Sequence, residues 1–137
     1  MEVLENVETK KKKVLIVEDD GNMSRLLHDA LDHQDQYELS LAADGFSALE
    51  LAKEVKPDLI LLDLMLPRLQ GYEVVERLQD SPQTRNIPIL IVTGCCYEAI
   101  PYRLYSRRSN IVGIFRKPVD LDQLLSTVHF NTLRSLA

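Results

Sequence analysis

The sequence LILLDLMLP at residues 59–67 is highly informative about the fold. Its four apolar residues, Leu59 to Leu62, are typical of a parallel strand that is buried on both faces of a sheet. A single carboxylate, Asp63, follows directly, and Pro67 then indicates a loop. The stretch therefore predicts a strand that is followed by an acidic side chain.

Apolar runs of the same kind recur on both sides of this stretch and alternate with segments of helical periodicity. Strands are predicted at residues 14–17, 37–42, 59–62, 89–92 and 111–115. Helices are predicted at residues 22–33, 46–56, 72–79, 96–108 and 121–133. Five strands that alternate with five helices predict a doubly wound α/β fold, (βα)5, with three layers: a five-stranded parallel sheet between two layers of helices.

Polar residues follow the predicted strands at the edge of the sheet where ligand sites form. In doubly wound folds the site lies beyond the carboxyl ends of the strands, where the strand order reverses. At these ends the sequence places carboxylates, a hydroxyl and an ammonium group, namely Glu18, Asp19, Asp20, Asp63, Thr93 and Lys117. Each residue alone could be a helix cap or a surface side chain, but their joint position at four strand ends predicts one site.

The chemistry of this set indicates a metal ion and a phosphoryl group. Crowded carboxylates repel one another at neutral pH and favour a shared cation. An oxygen-only set suits Mg²⁺, with Mn²⁺ as a substitute, because these ions bind few carboxylates and keep several waters. Lys117 adds a charge that can hold Asp63 ionised or bind a phosphoryl oxygen. A carboxylate beside a divalent ion and an amine can act as nucleophile towards a phosphoryl donor.

Composition and length limit the remaining classes. A chain of 137 residues has room for one core, and its net charge of −5 does not predict direct nucleic-acid binding. No apolar run reaches the ~20 residues that cross a membrane, and no secretory signal is recognisable. The adjacent cysteines Cys95 and Cys96 do not suit a disulfide, so a cytoplasmic location is expected. We expect a flexible leader at residues 1–12, one domain at 13–133, and a tail or the start of a linker at 134–137.

Four short motifs with a fixed order and spacing are typical of one family. They are VEDD at 17–20, DLMLP at 63–67 with Gly71 after it, Thr93-Gly94, and Lys117-Pro118. With these motifs the sequence resembles the receiver domain of two-component response regulators, in the CheY-like superfamily. The resemblance covers roughly residues 12–133 and implies a flavodoxin-like fold.

The resemblance implies the metal ligands. It implies that Asp19, Asp63 and the backbone carbonyl of Met65 bind Mg²⁺, and that Glu18 acts on the ion through water. Three acids stand in a row, so the family's acidic pair has to be chosen among them. The spacing to Asp63 favours Glu18 and Asp19 as the pair and leaves Asp20 at the rim.

The resemblance also implies how the phosphoryl group is handled. Asp63 matches the phosphoacceptor, and Thr93 matches the hydroxyl that moves to bind the phosphoryl group. Lys117 matches the family's lysine, and Pro118 the proline that often follows it in the cis form. Such a domain is a signalling module rather than an enzyme, since it assists only its own phosphorylation and dephosphorylation.

The resemblance implies an upstream phosphoryl donor and a downstream partner. The donor would be a phosphohistidine on a sensor histidine kinase or on a histidine phosphotransfer protein. The fourth helix, fifth strand and fifth helix would form the output face for a downstream protein or an output domain. A homodimer is left open by the sequence, and membrane insertion is not expected.

Two departures from the family pattern bear on the switch. The family usually places Tyr or Phe three residues before the lysine, where this chain has Ile114, while Phe115 is expected to face the other side of the strand. The fourth predicted helix, residues 96–108, is rich in tyrosine and arginine and lacks the family's alanines. It could be a basic, aromatic output face or an ordinary solvated helix. With Ile114 at the aromatic position, the sequence does not predict the usual coupling of the hydroxyl to an aromatic side chain.

Other functions and one kinetic property follow from the same residues. A pseudo-receiver that binds partners without phosphorylation is the alternative, although it would not need a cluster of repelling acids. An enzyme on a similar sheet, such as an aspartyl-phosphate hydrolase or a flavin protein, is less well supported, because no Gly-rich phosphate loop follows the first strand.

Met65 and Cys95 stand two residues past Asp63 and Thr93, where neither orients a water well, which predicts slow self-dephosphorylation.

Overall fold

The chain forms a parallel sheet with helices on both faces. A computed structural model describes residues 10–94 and 110–134. The strands are β1 (Lys12–Val17), β2 (Tyr37–Ala42), β3 (Leu59–Leu62), β4 (Ile89–Thr93) and β5 (Ile111–Arg116). The helices are α1 (Gly21–Asp32), α2 (Gly45–Val55), α3 (Gly71–Asp80) and α4 (Leu121–Arg134). The strand order is β2-β1-β3-β4-β5, and all neighbouring strands are parallel.

Side chains of successive strand residues enter two cores on opposite sides of the sheet. On one side, Leu15, Ile60 and Ile91 pack against the apolar faces of α2 and α3. On the other side, Ile16 and Leu61 pack against α1 and α4. This alternation follows from the two-residue period of a strand and gives the three layers that the sequence predicts.

Acidic side chains begin two of the helices that follow a strand. Asp20 Oδ1 accepts hydrogen bonds from the amides of Asn22 and Met23 at the start of α1. Asp44 Oδ1 accepts one from the Ser47 amide at 2.8 Å, at the start of α2. These caps satisfy amides that have no partner inside the helix. Asp44 and Gly45 thus form the beginning of α2.

The edge strand β5 is less regular than the central strands. Its register against β4 shifts, because Ile89 pairs with Ile111 whereas Leu90 pairs with Gly113. Beyond this bulge, Ile114 packs against the core that contains α2 and α3, and Phe115 against the core that contains α1 and α4. The prediction that these two side chains face opposite sides is confirmed.

The predicted fold class is confirmed, and the ends of the elements agree with the sequence within two residues. The fourth predicted helix, both cysteines, and most of the predicted leader and tail lie outside the described residues. The domain limits of 13 and 133 therefore stay predictions. Among the helices of the described residues, none combines the length and the hydropathy needed to span a membrane.

Candidate functional site

The site is built where the strand order reverses, between β1 and β3. After β1 the chain continues to β2, which lies on one side of β1. After β2 it continues to β3, which lies on the other side of β1. Two backbone hydrogen bonds extend the sheet into the site: Asp63 N–H donates to Val17 O at 3.0 Å, and Glu18 N–H to Ala42 O at 3.0 Å. The two acidic residues are thus held by the sheet itself, at the place that the sequence predicts.

Three carboxylates meet at this edge of the sheet. One carboxylate oxygen from each of Glu18, Asp19 and Asp63 lies within 4.8 Å of the others. Glu18 and Asp63 are buried with 4% exposure each, whereas Asp19 is exposed. A group with two buried acids and one facing solvent can hold a cation that keeps part of its water shell.

Lys117 bridges the two buried acids. Its Nζ donates to Glu18 Oε1 at 2.9 Å and to Asp63 Oδ2 at 3.1 Å. The lysine reaches the site from the end of β5, where its backbone N–H donates to Thr93 O at 2.9 Å. The Lys117–Pro118 peptide bond is cis, as the resemblance implies.

The remaining oxygens of the buried acids accept hydrogen bonds from backbone amides. Asp63 Oδ1 accepts from the Met65 amide at 3.0 Å, and Glu18 Oε2 from the Asp20 amide at 3.2 Å. Each buried carboxylate is therefore fixed at both oxygens, by the ammonium group on one side and by an amide on the other. Buried charges need such partners because burial removes their water.

The ionisation of the site follows from burial and from this bridge. Burial raises the pKa of Glu18, and the negative charge of Asp63 raises it further, although hydrogen bonds from Lys117 and the Asp20 amide lower it. Burial lowers the pKa of Lys117, but the hydrogen bonds and charges of Glu18 and Asp63 outweigh this, so its pKa lies above its usual value. The ammonium group is therefore positively charged at neutral pH.

A glycine brings the start of α3 against the Asp63 backbone. Gly71 N–H donates to Leu64 O at 2.9 Å. A β-carbon at Gly71 would overlap the Leu64 Cα and lie 2.7 Å from the carbonyl oxygen of Asp63. The missing side chain is thus what allows the helix to support the strand end that carries the acid. The sequence marked Gly71 as part of a motif but gave no reason for it.

The other predicted residues lie at the positions expected from the strand ends. Thr93 is buried as the last residue of β4, the strand next to β3. The Met65 side chain is 62% exposed, and its amide contacts Asp63. Asp20 is exposed and its carboxylate caps α1, which agrees with its predicted place at the rim.

Sequence reasoning missed a group of contacts beside the site. Arg68, in the loop between β3 and α3, forms an ion pair with Asp44 at 3.6 Å and stacks on Phe46, with its guanidinium carbon 5.3 Å from the ring centre. The aspartate before a helical pattern is a signal for a cap, but no local pattern predicts that a loop 24 residues away would contact it.

This arrangement fits a divalent cation by the chemistry of its donors. The three side chains offer only carboxylate oxygens, which hard cations such as Mg²⁺ prefer over nitrogen or sulfur ligands. Asp63 also lies beside a positively charged amine, which can bind an anion brought to its carboxylate.

Comparisons with known proteins identify the family of the chain. The family model of the response regulator receiver domain matches residues 14–129. The polar-differentiation response regulator DivK of Brucella anthropi is 33% identical over 117 residues, which cover 85% of this chain and 93% of that protein.

Solved structures give the same result. The signal receiver domain of a DNA binding response regulator protein (merR) from Colwellia psychrerythraea 34H matches with a TM-score of 0.76 and 28% identity, over 87% of this chain and 96% of that one. The response regulator domain of Thermotoga maritima CheB matches with a TM-score of 0.75 and 26% identity, over 90% and 97%. The chain belongs to the response regulator receiver domain family.

Proposed function

We propose that this receiver domain accepts a phosphoryl group on Asp63 in a Mg²⁺-dependent reaction and thereby changes its affinity for a partner. The observation that carries the proposal is the contact of Asp63 with a charged lysine inside a cluster of carboxylates. The lysine alone does not balance these acids, because one amine faces three carboxylates. A divalent cation restores the balance.

Asp19, Asp63 and the Met65 carbonyl are the proposed direct ligands of the ion. Glu18 is proposed to act on the ion through water, as the resemblance implies, while Lys117 and the Asp20 amide hold its carboxylate. Asp19 is exposed, so it can bind an ion that enters from solvent. When bound, Mg²⁺ supplies positive charge that offsets the charge on the transferring phosphoryl oxygens, and Mn²⁺ is a chemically suitable substitute.

The chain's own residues then have distinct tasks in the transfer. A carboxylate oxygen of Asp63 attacks phosphorus, the new O–P bond forms, and the P–N bond to the donor histidine breaks. Lys117 keeps its proton and turns its N–H groups from Asp63 towards a phosphoryl oxygen. The Thr93 hydroxyl, at the end of the adjacent strand, is proposed to bind another phosphoryl oxygen and so to report the change to the sheet.

Partners are proposed on both sides of this step. The donor is a phosphohistidine on a sensor histidine kinase or a histidine phosphotransfer protein, in the cytoplasm. The downstream partner binds the proposed output face. Within the residues that the structure describes, this face consists of β5 and α4, which is the fifth helix predicted from the sequence. Phe130 and Leu133 of α4 are 61% and 48% exposed, which supports a protein contact on this helix. The same surface is available for a homodimer.

A direct experiment tests the proposal. The protein is incubated with Mg²⁺ and acetyl phosphate, and the mass gain of one phosphoryl group is followed with and without a chelator. We expect modification of the wild type only with Mg²⁺, and none of Asp63→Asn. Beryllofluoride provides a second probe, because it binds the same carboxylate and is expected to shift amide signals around Thr93. A folded wild type that neither gains mass nor responds to beryllofluoride would establish the pseudo-receiver instead.

The lifetime of the phosphorylated state is a further part of the proposal. The exposed side chain of Met65 has no hydrogen-bond donor or strong acceptor with which to orient an attacking water. We therefore expect slow phosphoryl loss after the donor is removed. Met65→Asn should shorten the lifetime several-fold, and an unchanged or longer lifetime would contradict this role.

A further inference from the structure

The loop between β3 and α3 carries Met65, and it is attached to the start of α2 at several points. Arg68 in this loop has a φ of 70°, a left-handed conformation that non-glycine residues rarely adopt. Such a conformation persists only where surrounding contacts enforce it. The backbone hydrogen bond from Leu69 N–H to Pro67 O at 2.7 Å spans Arg68, and the contacts of its side chain add to the support of this conformation.

Two of these contacts come from the Arg68 side chain. Its guanidinium group lies 3.6 Å from Asp44 Oδ2 and stacks on the Phe46 ring at 5.3 Å. The guanidinium plane suits both partners, since it can pair with a carboxylate while it covers an aromatic ring.

Asp44 is also held in place by contacts that do not involve Arg68. Its carboxylate accepts hydrogen bonds from the Ser47 amide at 2.8 Å and from the Ser47 hydroxyl at 3.3 Å. The Ser47 amide is the main cause of the lowered pKa of Asp44, and the charge of Arg68 lowers it further, so the carboxylate is ionised at neutral pH. The anchor is thus an ionised side chain fixed at a helix end.

A backbone contact joins the same two segments. A β-carbon at Gly45, the first residue of α2, would lie 2.8 Å from both the Cβ and the carbonyl oxygen of Leu69. The loop therefore packs directly on the helix start, one residue after Arg68. Only a residue without a side chain permits this approach.

We propose that Arg68, with Asp44 and Phe46, is a positioning device that holds the β3–α3 loop against α2 and so fixes the carbonyl of Met65 for the metal ion. The inference rests on the proposed function, because it assigns the loop's geometry to the metal site of that function. Arg68 itself does not touch the ion. It acts through Leu66 and Pro67, the two residues of chain between it and Met65.

Two variants remove the device, and a third serves as a matched control. Arg68→Ala removes both side-chain contacts, and Asp44→Ser removes the ion pair while a hydroxyl still caps α2. Arg77 stacks on the same Phe46 ring at 5.9 Å but belongs to α3 and not to the loop. Arg77→Ala therefore removes an equal charge from the same ring without releasing the loop.

The measurements are the Mg²⁺ dissociation constant by calorimetry, the ¹⁵N relaxation of residues 64–70 in metal-free protein, and the denaturant midpoint. Arg68→Ala and Asp44→Ser are expected to weaken Mg²⁺ binding about two- to fivefold, the range of an exposed ion pair with a cation–π contact. Both should increase the motion of residues 64–70, and the double variant should be no worse than Arg68→Ala alone, because that substitution already removes the ion pair. Arg68→Lys, which keeps the charge, should recover part of the affinity.

Each result decides one of the two ideas. If the wild type binds Mg²⁺ and Arg68→Ala binds it equally well with an unchanged loop, the positioning role is wrong and the proposed function stands. If Arg77→Ala matches Arg68→Ala, the effect belongs to surface charge and not to the loop, which also overturns the inference. If the wild type binds no Mg²⁺, the proposed function fails, and the relaxation of residues 64–70 still decides whether Arg68 holds the loop.

Discussion

The strands β3 and β5 are followed by the acid Asp63 and by Lys117, respectively, and the two strands differ in how closely they are packed. All four residues of β3 are buried in the middle of the sheet, and Gly71 brings the start of α3 against the backbone that follows. β5 is an edge strand in which no residue is fully buried, and its register against β4 shifts. The acid Asp63 thus comes from a tightly enclosed strand, while Lys117 comes from a looser one.

In the proposed phosphorylation switch, the two strands would have different tasks. A nucleophile has to keep its position relative to the metal ligands, and close packing enforces this at β3. A residue that responds to a new phosphoryl group needs freedom to move, which fewer buried contacts allow. The comparison can be tested by perturbing each strand in a matched way.

Gly71→Ala should have the largest effect on stability. The new β-carbon would overlap backbone atoms of Leu64 and Asp63, which cannot rotate away, so α3 or the strand end has to shift. We expect a loss of about 3 kcal/mol in the free energy of unfolding, measured by urea denaturation.

Gly21→Ala is the control for this substitution. Gly21 is also the first residue of a helix that follows a strand, but a β-carbon there would meet nothing within 4 Å. Its change should stay within about 0.5 kcal/mol. Equal effects of the two substitutions would show that the close approach at Gly71 does not support the Asp63 backbone.

Lys117→Met should have the second largest effect in metal-free protein. It leaves the buried carboxylates of Glu18 and Asp63 without their shared cation, and we expect a loss of about 2 kcal/mol, below the value for a fully buried pair because Lys117 is 25% exposed. Adding Mg²⁺ should recover part of the loss. Lys11→Met, which breaks the exposed pair with Asp35, should cost less than about 0.5 kcal/mol. A similar loss for both lysines would contradict the bridging role.

The pH dependence of Glu18 should give a smaller effect of known sign. Its pKa is raised in the folded protein, so its contribution to stability is fully present below its usual value of 4.5 and is lost as the pH rises through the folded pKa. Glu18→Gln should therefore become progressively more stable relative to the wild type as the pH rises from about 5 to 7 without metal. Mg²⁺ should reverse the trend, because it favours the ionised acid. A difference that does not change with pH would contradict the raised pKa.

Much of the fold was predictable because its signals are local. The apolar run before Asp63 and the alternating periods along the chain determine the strands and helices within two residues. The opposite orientation of Ile114 and Phe115 also follows from the strand period alone. The β-bulge near the start of β5 was not predicted. Nothing in a single sequence indicates which residue of an edge strand loses its hydrogen-bonding partner.

The site was predictable as a set of residues but not as a set of contacts. Strand ends and motif spacing placed Glu18, Asp63 and Lys117 together, and the structure brings them within hydrogen-bonding distance. That the amine bridges both acids depends on side-chain geometry and on their burial. The left-handed Arg68 and its distant partner Asp44 depend on tertiary contacts, which no local pattern contains.

The smallest effect is expected for Gly113→Ala, the counterpart of Gly71→Ala in β5. A β-carbon at Gly113 would lie 2.8 Å from Leu90 Cδ1, the end of a buried side chain, which can shift more easily than the backbone atoms near Gly71. Replacing glycine within a strand also gains about 0.5 to 1 kcal/mol from the reduced entropy of the unfolded chain, so the net change should stay within about 1 kcal/mol. Urea denaturation beside Gly71→Ala measures the contrast. If Gly113→Ala costs as much as Gly71→Ala, β5 is as tightly packed as β3, and the proposed division between a fixed acid and a more adaptable lysine is wrong.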